Sequence, residues 1–320
     1  MAKFRTNHSR NESGGGSGMI VKVGLFVVIL GALFWVFNQF TGGEQDFSEA
    51  IEQAENVLSG KEPTPNDGPK APQDAELPDY ILPTSTTGQV IKHTHYALSY
   101  SEEHEQAEWV AYELTRDQLY IPNVERSGNF RPDPKVRKAS ASTRDYRNSG
   151  YDRGHLAPAG DMAFSEKAMS ESFYMSNMSP QIRNFNSGVW RELEENVRDW
   201  GKKFTHLYIA TGPVLTRGVR DQIGGNKVSV PDEYYKVILD ITEPEFKAIG
   251  FLIPNEVSTQ PLHEYAVSID KIEQLTGIDF FPELLDGQEE EAMEQTFNID
   301  LWPISSKRYQ RRLDSWNRRK

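Results

Sequence analysis

The sequence predicts an α+β domain of some 200 to 240 residues, set behind an N-terminal transmembrane helix. Three observations predict it. Apolar and β-branched runs recur at 96–100, 109–114, 206–214, 235–241 and 248–253, and the first two are close enough to pair across a turn at 101–106. Asn186, Trp190, Glu194 and Arg198 follow one another every four residues, the spacing that lines side chains along one helix face. From Met19 to Phe37 the chain is apolar except for Lys22, close to the roughly 20 residues a bilayer requires.

Composition narrows the function classes. Of the 320 residues 37% are hydrophobic, and 13 Tyr, 16 Phe and 6 Trp suffice for a sizeable core, which excludes disorder of the whole chain. There is no cysteine, so disulfides, thiol catalysis and cysteine-ligated zinc or iron–sulfur sites are excluded. A net charge of −12 argues against a uniformly basic surface that coats nucleic acid. A catalytic groove needs only a local cluster, and Arg126, Arg131, Arg137, Arg144, Arg147 and Arg153 supply one.

Along the chain, residues 1–18 read as a polar cytosolic tail with a Gly/Ser-rich end. Residues 19–40 read as an uncleaved membrane anchor. The run Phe34 to Phe40 lacks the small residues of a signal-peptide cleavage site, and Trp35 would lie near the far interface. Lys3, Arg5 and Arg10 precede the anchor, and Glu44, Asp46 and Glu49 follow it. The positive-inside rule then places the remainder on the extracytoplasmic side, in a periplasm or at the cell surface. Residues 41–80 read as a flexible acidic and Pro-rich linker, and 81–285 as the folded domain. His93, His95 and His104 read as surface or strand histidines rather than metal ligands, because no carboxylate falls at ligand spacing. Arg126 to Pro134 is a loop by composition, and 267–275 has the apolar spacing of a short helix stopped by Gly277. Residues 286–320 form an acidic and then basic tail. Its Tyr309 and Trp316 lie among arginines, in a segment that is either disordered or grips nucleic acid.

The densest chemistry lies at Asp152-Arg153-Gly154-His155: a charged pair, a glycine that permits a sharp bend, and a histidine just past it. An unperturbed imidazole, with a pKa of about 6.5, is largely neutral near pH 7 and still able to take a proton, so His155 is the candidate base. Phe185, Val189 and Trp190 make the following helix half-buried, so that some of its polar groups face something other than bulk water. Taken alone, Asn186 reads as an N-cap and Glu194/Arg198 as a solvated ion pair.

Asp152–His155, Tyr174–Gln181 and Asn186–Arg198, in that order, resemble the DNA/RNA non-specific endonucleases, a family similar to mitochondrial endonuclease G and to secreted bacterial nucleases. The likeness runs from Leu82 to Phe281. It implies a ββα-metal (His-Me finger) nuclease fold with a central, mainly antiparallel sheet flanked by helices. It also implies hydrolysis of DNA and RNA to 5′-phosphate and 3′-hydroxyl ends. On this resemblance His155 is the general base and Asn186 the ligand of one Mg²⁺, with Mn²⁺ the alternative. Glu194 accepts hydrogen bonds from metal-bound water or orients Arg198. Arg198 and Arg126 fork onto the phosphate, with Arg131 the runner-up for the latter. Asn177 and Gln181 shape the site by hydrogen bonding or are purely structural, and Asp152 and Arg153 brace the turn. DNA and RNA are the expected partners, beside the membrane through residues 19–40 and a second copy in a homodimer. Two other readings stand beside it: a non-catalytic nucleic-acid- or partner-binding domain on the same scaffold, and hydrolysis of small phosphodiesters. The presence of the histidine, asparagine and glutamate together favours an enzyme.

Overall fold

The computed structural model describes residues 77–138, 140–285 and 287–318. The tail 1–18, the expected transmembrane helix 19–40 and residues 41–76 of the linker therefore lie outside the described residues.

The frame is a seven-stranded sheet of β1 (Gln89–Lys92), β2 (Ala97–Ser101), β3 (Gln106–Thr115), β6 (His206–Pro213), β9 (Glu233–Asp240), β10 (Lys247–Pro254) and β11 (Ala266–Val267). They pair in that order, every pair antiparallel. Two hairpins stand outside it: β4 (Asp152–His155) with β5 (Met178–Gln181), and β7 (Asp221–Ile223) with β8 (Val228–Val230). The principal helices are α1 (Arg116–Tyr120), α2 (Arg191–Phe204), α3 (Ile269–Thr276) and α4 (Ser306–Asp314).

The sheet is covered on both faces. Val110, Tyr112, Leu114, Leu207, Ile209 and Ile238 face one core with Leu193, Val197 and Trp200 of α2. The alternate residues Trp109, Ala111, Tyr208, Ala210 and Val237 face the other, with Ile269, Ile272 and Leu275 of α3. A strand buried on both sides reads as a nearly continuous apolar run, which is why 206–214 and 235–241 are plain in the sequence. The stop expected at Gly277 is a left-handed C-cap with φ 73°.

The helix expected from Asn186 is interrupted. Phe185–Trp190 forms a π-helical turn that breaks at Gly188 (φ −104°, ψ −110°), and the α-helix proper starts at Arg191. Asn186 thus belongs to the turn rather than to the α2 face, and it does not cap α2, whose N-cap position is Trp190. A Cβ at Gly188 would lie 2.7 Å from Asn317 Oδ1, so the break is packed against the C-terminal segment.

That segment, expected to lie beyond the domain as a tail, packs along α2. Arg312 is fully buried and pairs with Glu192 at 2.8 Å. Arg308 reaches Glu195 at 3.2 Å and Asp199 at 2.6 Å, and Trp316 lies 4.2 Å below the Arg191 guanidinium. Arg308 and Arg312 are therefore spent on the acidic face of α2 rather than on a substrate.

Candidate active site

The β4–β5 hairpin sets the site. Its register pairs Asp152 with Gln181 and His155 with Met178, and Ser179 ties the hairpin to the sheet through the Tyr234 hydroxyl at 2.6 Å. Gly154 lies inside a paired strand, not at a sharp bend. Glycine leaves room there for the Gln181 side chain, whose Cδ would lie 2.1 Å from an added Cβ, so a larger residue would have to displace it. Gln181 is fully buried and hydrogen-bonds nothing through its amide. Asn177 is spent entirely on backbone: Nδ2 donates to the Ala157 and Ser172 carbonyls, and Oδ1 accepts from Ala157 N–H at 2.9 Å. Of the two expected site-shaping residues, one supports the strand by packing and the other holds the turn after His155.

Asp152 does more than brace its own turn. Its Oδ2 accepts from Asn186 Nδ2 at 3.2 Å, while Oδ1 faces Arg183 Nε at 3.4 Å. With its amide nitrogen engaged, Asn186 has Oδ1 left as the atom with which to take a cation.

Two distant parts of the chain meet in one cleft of about 420 Å³, lined by Arg126, Arg153, His155, Asn186, Glu194 and Arg198. His155 is buried against Phe173 in a T-shaped contact at 4.8 Å, and its Nε2 has no hydrogen-bond partner. Burial, aided by the Arg126 and Arg153 guanidinia, pulls its pKa from 6.5 down to about 3. The free site thus holds the imidazole neutral far below the pH that an unperturbed histidine would allow. Arg126 makes no ion pair among the described residues and rests 5.0 Å from the Phe173 ring centroid. Arg131, the runner-up, is occupied elsewhere: it stacks on Tyr174 at 4.0 Å and donates to the Ser170 carbonyl at 2.8 Å.

Three residues of the site lie outside the sequence motifs. Asp161, six positions beyond His155, accepts from Arg198 Nη1 at 2.8 Å through Oδ1 and from the Tyr112 hydroxyl at 2.8 Å through Oδ2. Asp161, rather than Glu194, is the carboxylate that hydrogen-bonds Arg198. Lys236 of β9 is fully buried, with its Nζ 5.1 Å from the Trp190 ring and without a hydrogen-bond partner. Burial pushes the Glu194 carboxyl up against the opposing pull of Arg198, Lys236 and Arg126. Burial likewise pushes Lys236 down, against Glu194 and Asp161. The one sequence signal for Lys236 is a lysine inside an otherwise apolar strand run.

Among the described residues no other histidine lines this cleft, and two of them are not at the surface. His93 is buried and pairs with Asp133 at 2.9 Å, a carboxylate forty positions away, and His95 is buried edge-on to Phe164. His104 Nδ1 meets Ser229 Oγ at 3.0 Å. Among the described residues the one His/Asp/Glu cluster of metal-binding size is Asp270, Glu273 and Glu294, none of which lines the cleft. A cation in the cleft would therefore be held chiefly by Asn186 Oδ1, which suits a hard ion that keeps most of its waters.

Residues 73–287 match the family described as DNA/RNA non-specific endonuclease. The chain is 37% identical over 249 residues to the human mitochondrial nuclease EXOG, covering 72% of this chain and 66% of that protein, just under two thirds of its length. It is 34% identical over 223 residues to human mitochondrial endonuclease G, covering 66% and 74% of the two chains. Among solved structures it is similar to a chain of the EndoG/EndoGI complex, which concerns the mechanism of EndoG inhibition. The TM-score is 0.59 at 32% identity, over 63% of this chain and 89% of the other. The large antiparallel sheet with its hairpin and helix fits the ββα-metal nuclease fold.

These findings overturn the expected localisation, a membrane-anchored protein with an extracytoplasmic catalytic domain. Both of these curated relatives are named as mitochondrial nucleases. No helix among the described residues, which leave out 19–40, is long and apolar enough to cross a membrane.

Proposed function

The chain belongs to the DNA/RNA non-specific endonuclease family, and from that premise we propose that it hydrolyses DNA and RNA without sequence preference, leaving 5′-phosphate and 3′-hydroxyl ends. The observation that carries the proposal is the convergence of His155, Asn186, Arg126 and Arg198 on one cleft. Mg²⁺, with Mn²⁺ the alternative, would be held at Asn186 Oδ1 and would supply positive charge to the phosphate and the departing oxygen.

The chain's own residues do the rest. His155, neutral in the free site, accepts the proton of the attacking water at Nε2, the ring nitrogen without a partner. Arg198, held by Asp161, presents a fixed guanidinium to the phosphate oxygens, and Arg126 supplies a second from the loop. Glu194, flanked by cations, would accept hydrogen bonds from the waters of an ion held at Asn186. Contacts limited to phosphate and sugar carry little sequence information, which suits an enzyme that cuts both polymers.

The test is cleavage of plasmid DNA and of an unstructured RNA, with end-group analysis. Both are cut at many positions in Mg²⁺, chelator stops the cutting, and excess Mg²⁺ restores it. Cutting that persists in chelator removes the metal from the scheme; failure to cut either polymer removes the enzyme.

A pH dependence follows from the cations around His155. In the free protein burial, with these cations adding to it, holds the imidazole near 3, whereas a bound phosphodiester brings a negative charge that offsets Arg126 and Arg153 and raises it again. The acid limb of kcat/KM, set by the free enzyme, therefore lies at lower pH than that of kcat, set by the complex. Rate profiles in both parameters check this, and coincident limbs near pH 6.5 would count against it.

A further inference from the structure

A second and larger concavity, about 690 Å³, adjoins the catalytic cleft and shares Arg153 and Asn186 with it. Its cationic wall consists of Arg147, exposed and without an ion pair among the described residues, and Arg153, which lies flat on Phe130 at 4.1 Å. Arg183 lines it too, at 3.4 Å from Asp152. Asp152 is the one carboxylate lining it, and that carboxylate already serves Asn186 and Arg183.

Tyr146 is the independent sign of a built site. It lines the concavity, is 6% exposed, and its buried hydroxyl has no hydrogen-bond partner. Burial pushes this phenol further up, so that it stays a neutral donor. An unpaired buried hydroxyl is costly, and a ligand oxygen would satisfy it. Guanidinia, a neutral O–H donor and the half-buried rings of Phe130 and Tyr151 are the groups that suit a phosphate with its sugar and base.

We propose that this concavity is a second phosphodiester subsite, holding the nucleotide next to the one being cut. Arg147 and Arg153 engage its phosphate and Tyr146 donates to one of its oxygens. This rests on the nuclease reading of the neighbouring cleft. The shared Arg153 and Asn186 make the two spaces one path for a strand.

The experiment compares a single-stranded dodecanucleotide with a dinucleoside monophosphate, which has the scissile phosphate and no other. Arg147→Ala and Tyr146→Phe are measured beside wild type. The loss in kcat/KM for Arg147→Ala on the dodecamer exceeds its loss on the short diester by about tenfold or more, the worth of one charge-assisted hydrogen bond. Tyr146→Phe, which keeps the ring, shifts in the same direction by less. The slope of log affinity for the dodecamer against log salt falls by about 0.7 in Arg147→Ala, as for one phosphate contact on a single strand. Equal losses on both substrates would overturn the subsite. Should the wild-type protein cut neither, the nuclease reading is what fails. The subsite is then judged by the salt slope of binding alone, and an unchanged slope in Arg147→Ala overturns it.

Discussion

His155→Ala lowers kcat on plasmid DNA by about 10²- to 10⁴-fold, the range for loss of a general base, while the protein stays folded. The two parts of this result have separate causes. The imidazole brings the one unpartnered ring nitrogen in a cleft whose other polar residues are arginines, Glu194, Glu195, Ser187 and an asparagine engaged with Asp152. Its surroundings are aromatic, Phe173 at 4.8 Å and Phe130 at 5.8 Å, so its removal leaves a small apolar gap and no orphaned charge. Stability gives an independent readout. A histidine with its folded pKa near 3 and an unfolded value of 6.5 contributes stability that is fully present above pH 6.5 and lost as the pH falls toward 3. The alanine variant lacks that loss, so its melting temperature falls less steeply over this window. Undiminished cleavage by His155→Ala would end the base assignment, and an unaltered acid response would end the account of its pKa.

Arg312→Met is expected to destabilise the protein by about 3–5 kcal/mol at pH 8, the cost of leaving one member of a buried pair uncompensated. Glu192 and Arg312 both have fully buried side chains, 2.8 Å apart, with the geometry of a bare ion pair rather than an aligned hydrogen bond. Burial raises Glu192 to about 7 even with Arg312 present, and lowers Arg312. For an acid whose folded pKa exceeds its unfolded value of 4.5, stability is greatest below 4.5 and declines as the pH rises through 7. The Arg312→Met penalty is accordingly smaller at pH 5 than at pH 8, since the stranded carboxyl can take a proton. Glu192→Met/Arg312→Met together bring denaturation midpoints back to near the wild-type value. A double variant as unstable as the single one would show that packing, not charge, dominates.

The sequence and the structure agree where one physical cause acts alone. The central strands are legible because burial on both faces leaves uninterrupted apolar runs. Edge strands β1 and β11 are not, since Gln89–Lys92 and Ala266–Val267 are short and partly exposed, and the hydrogen bonds to their neighbours carry no sequence pattern. The break at Gly188 escapes the four-residue spacing because a π turn preserves the side-chain series while changing which face each residue occupies. Within the site, residues in a contiguous motif could be named, and those brought in by the fold could not. Tyr112 and Lys236 sit among core residues of β3 and β9, and Asp161 in a turn, so their meeting with Arg198 and Glu194 depends on strand register. The C-terminal arginines show the same limit. Arg308 and Arg312 look like substrate-binding charge until the acidic residues of α2 are found opposite them.

The seven-stranded sheet has a further consequence. β3 and β6 are direct neighbours, with Thr115 beside His206, yet everything from α1 through the hairpin to α2 is spelled out between them. That pairing closes a loop that holds the whole intervening chain, so assembly of the sheet's middle is a long-range event and slower than a local hairpin. The hairpin, by contrast, loops out from two strands that stay zipped when it opens. Local breathing around His155 can then proceed while the sheet's amides remain protected.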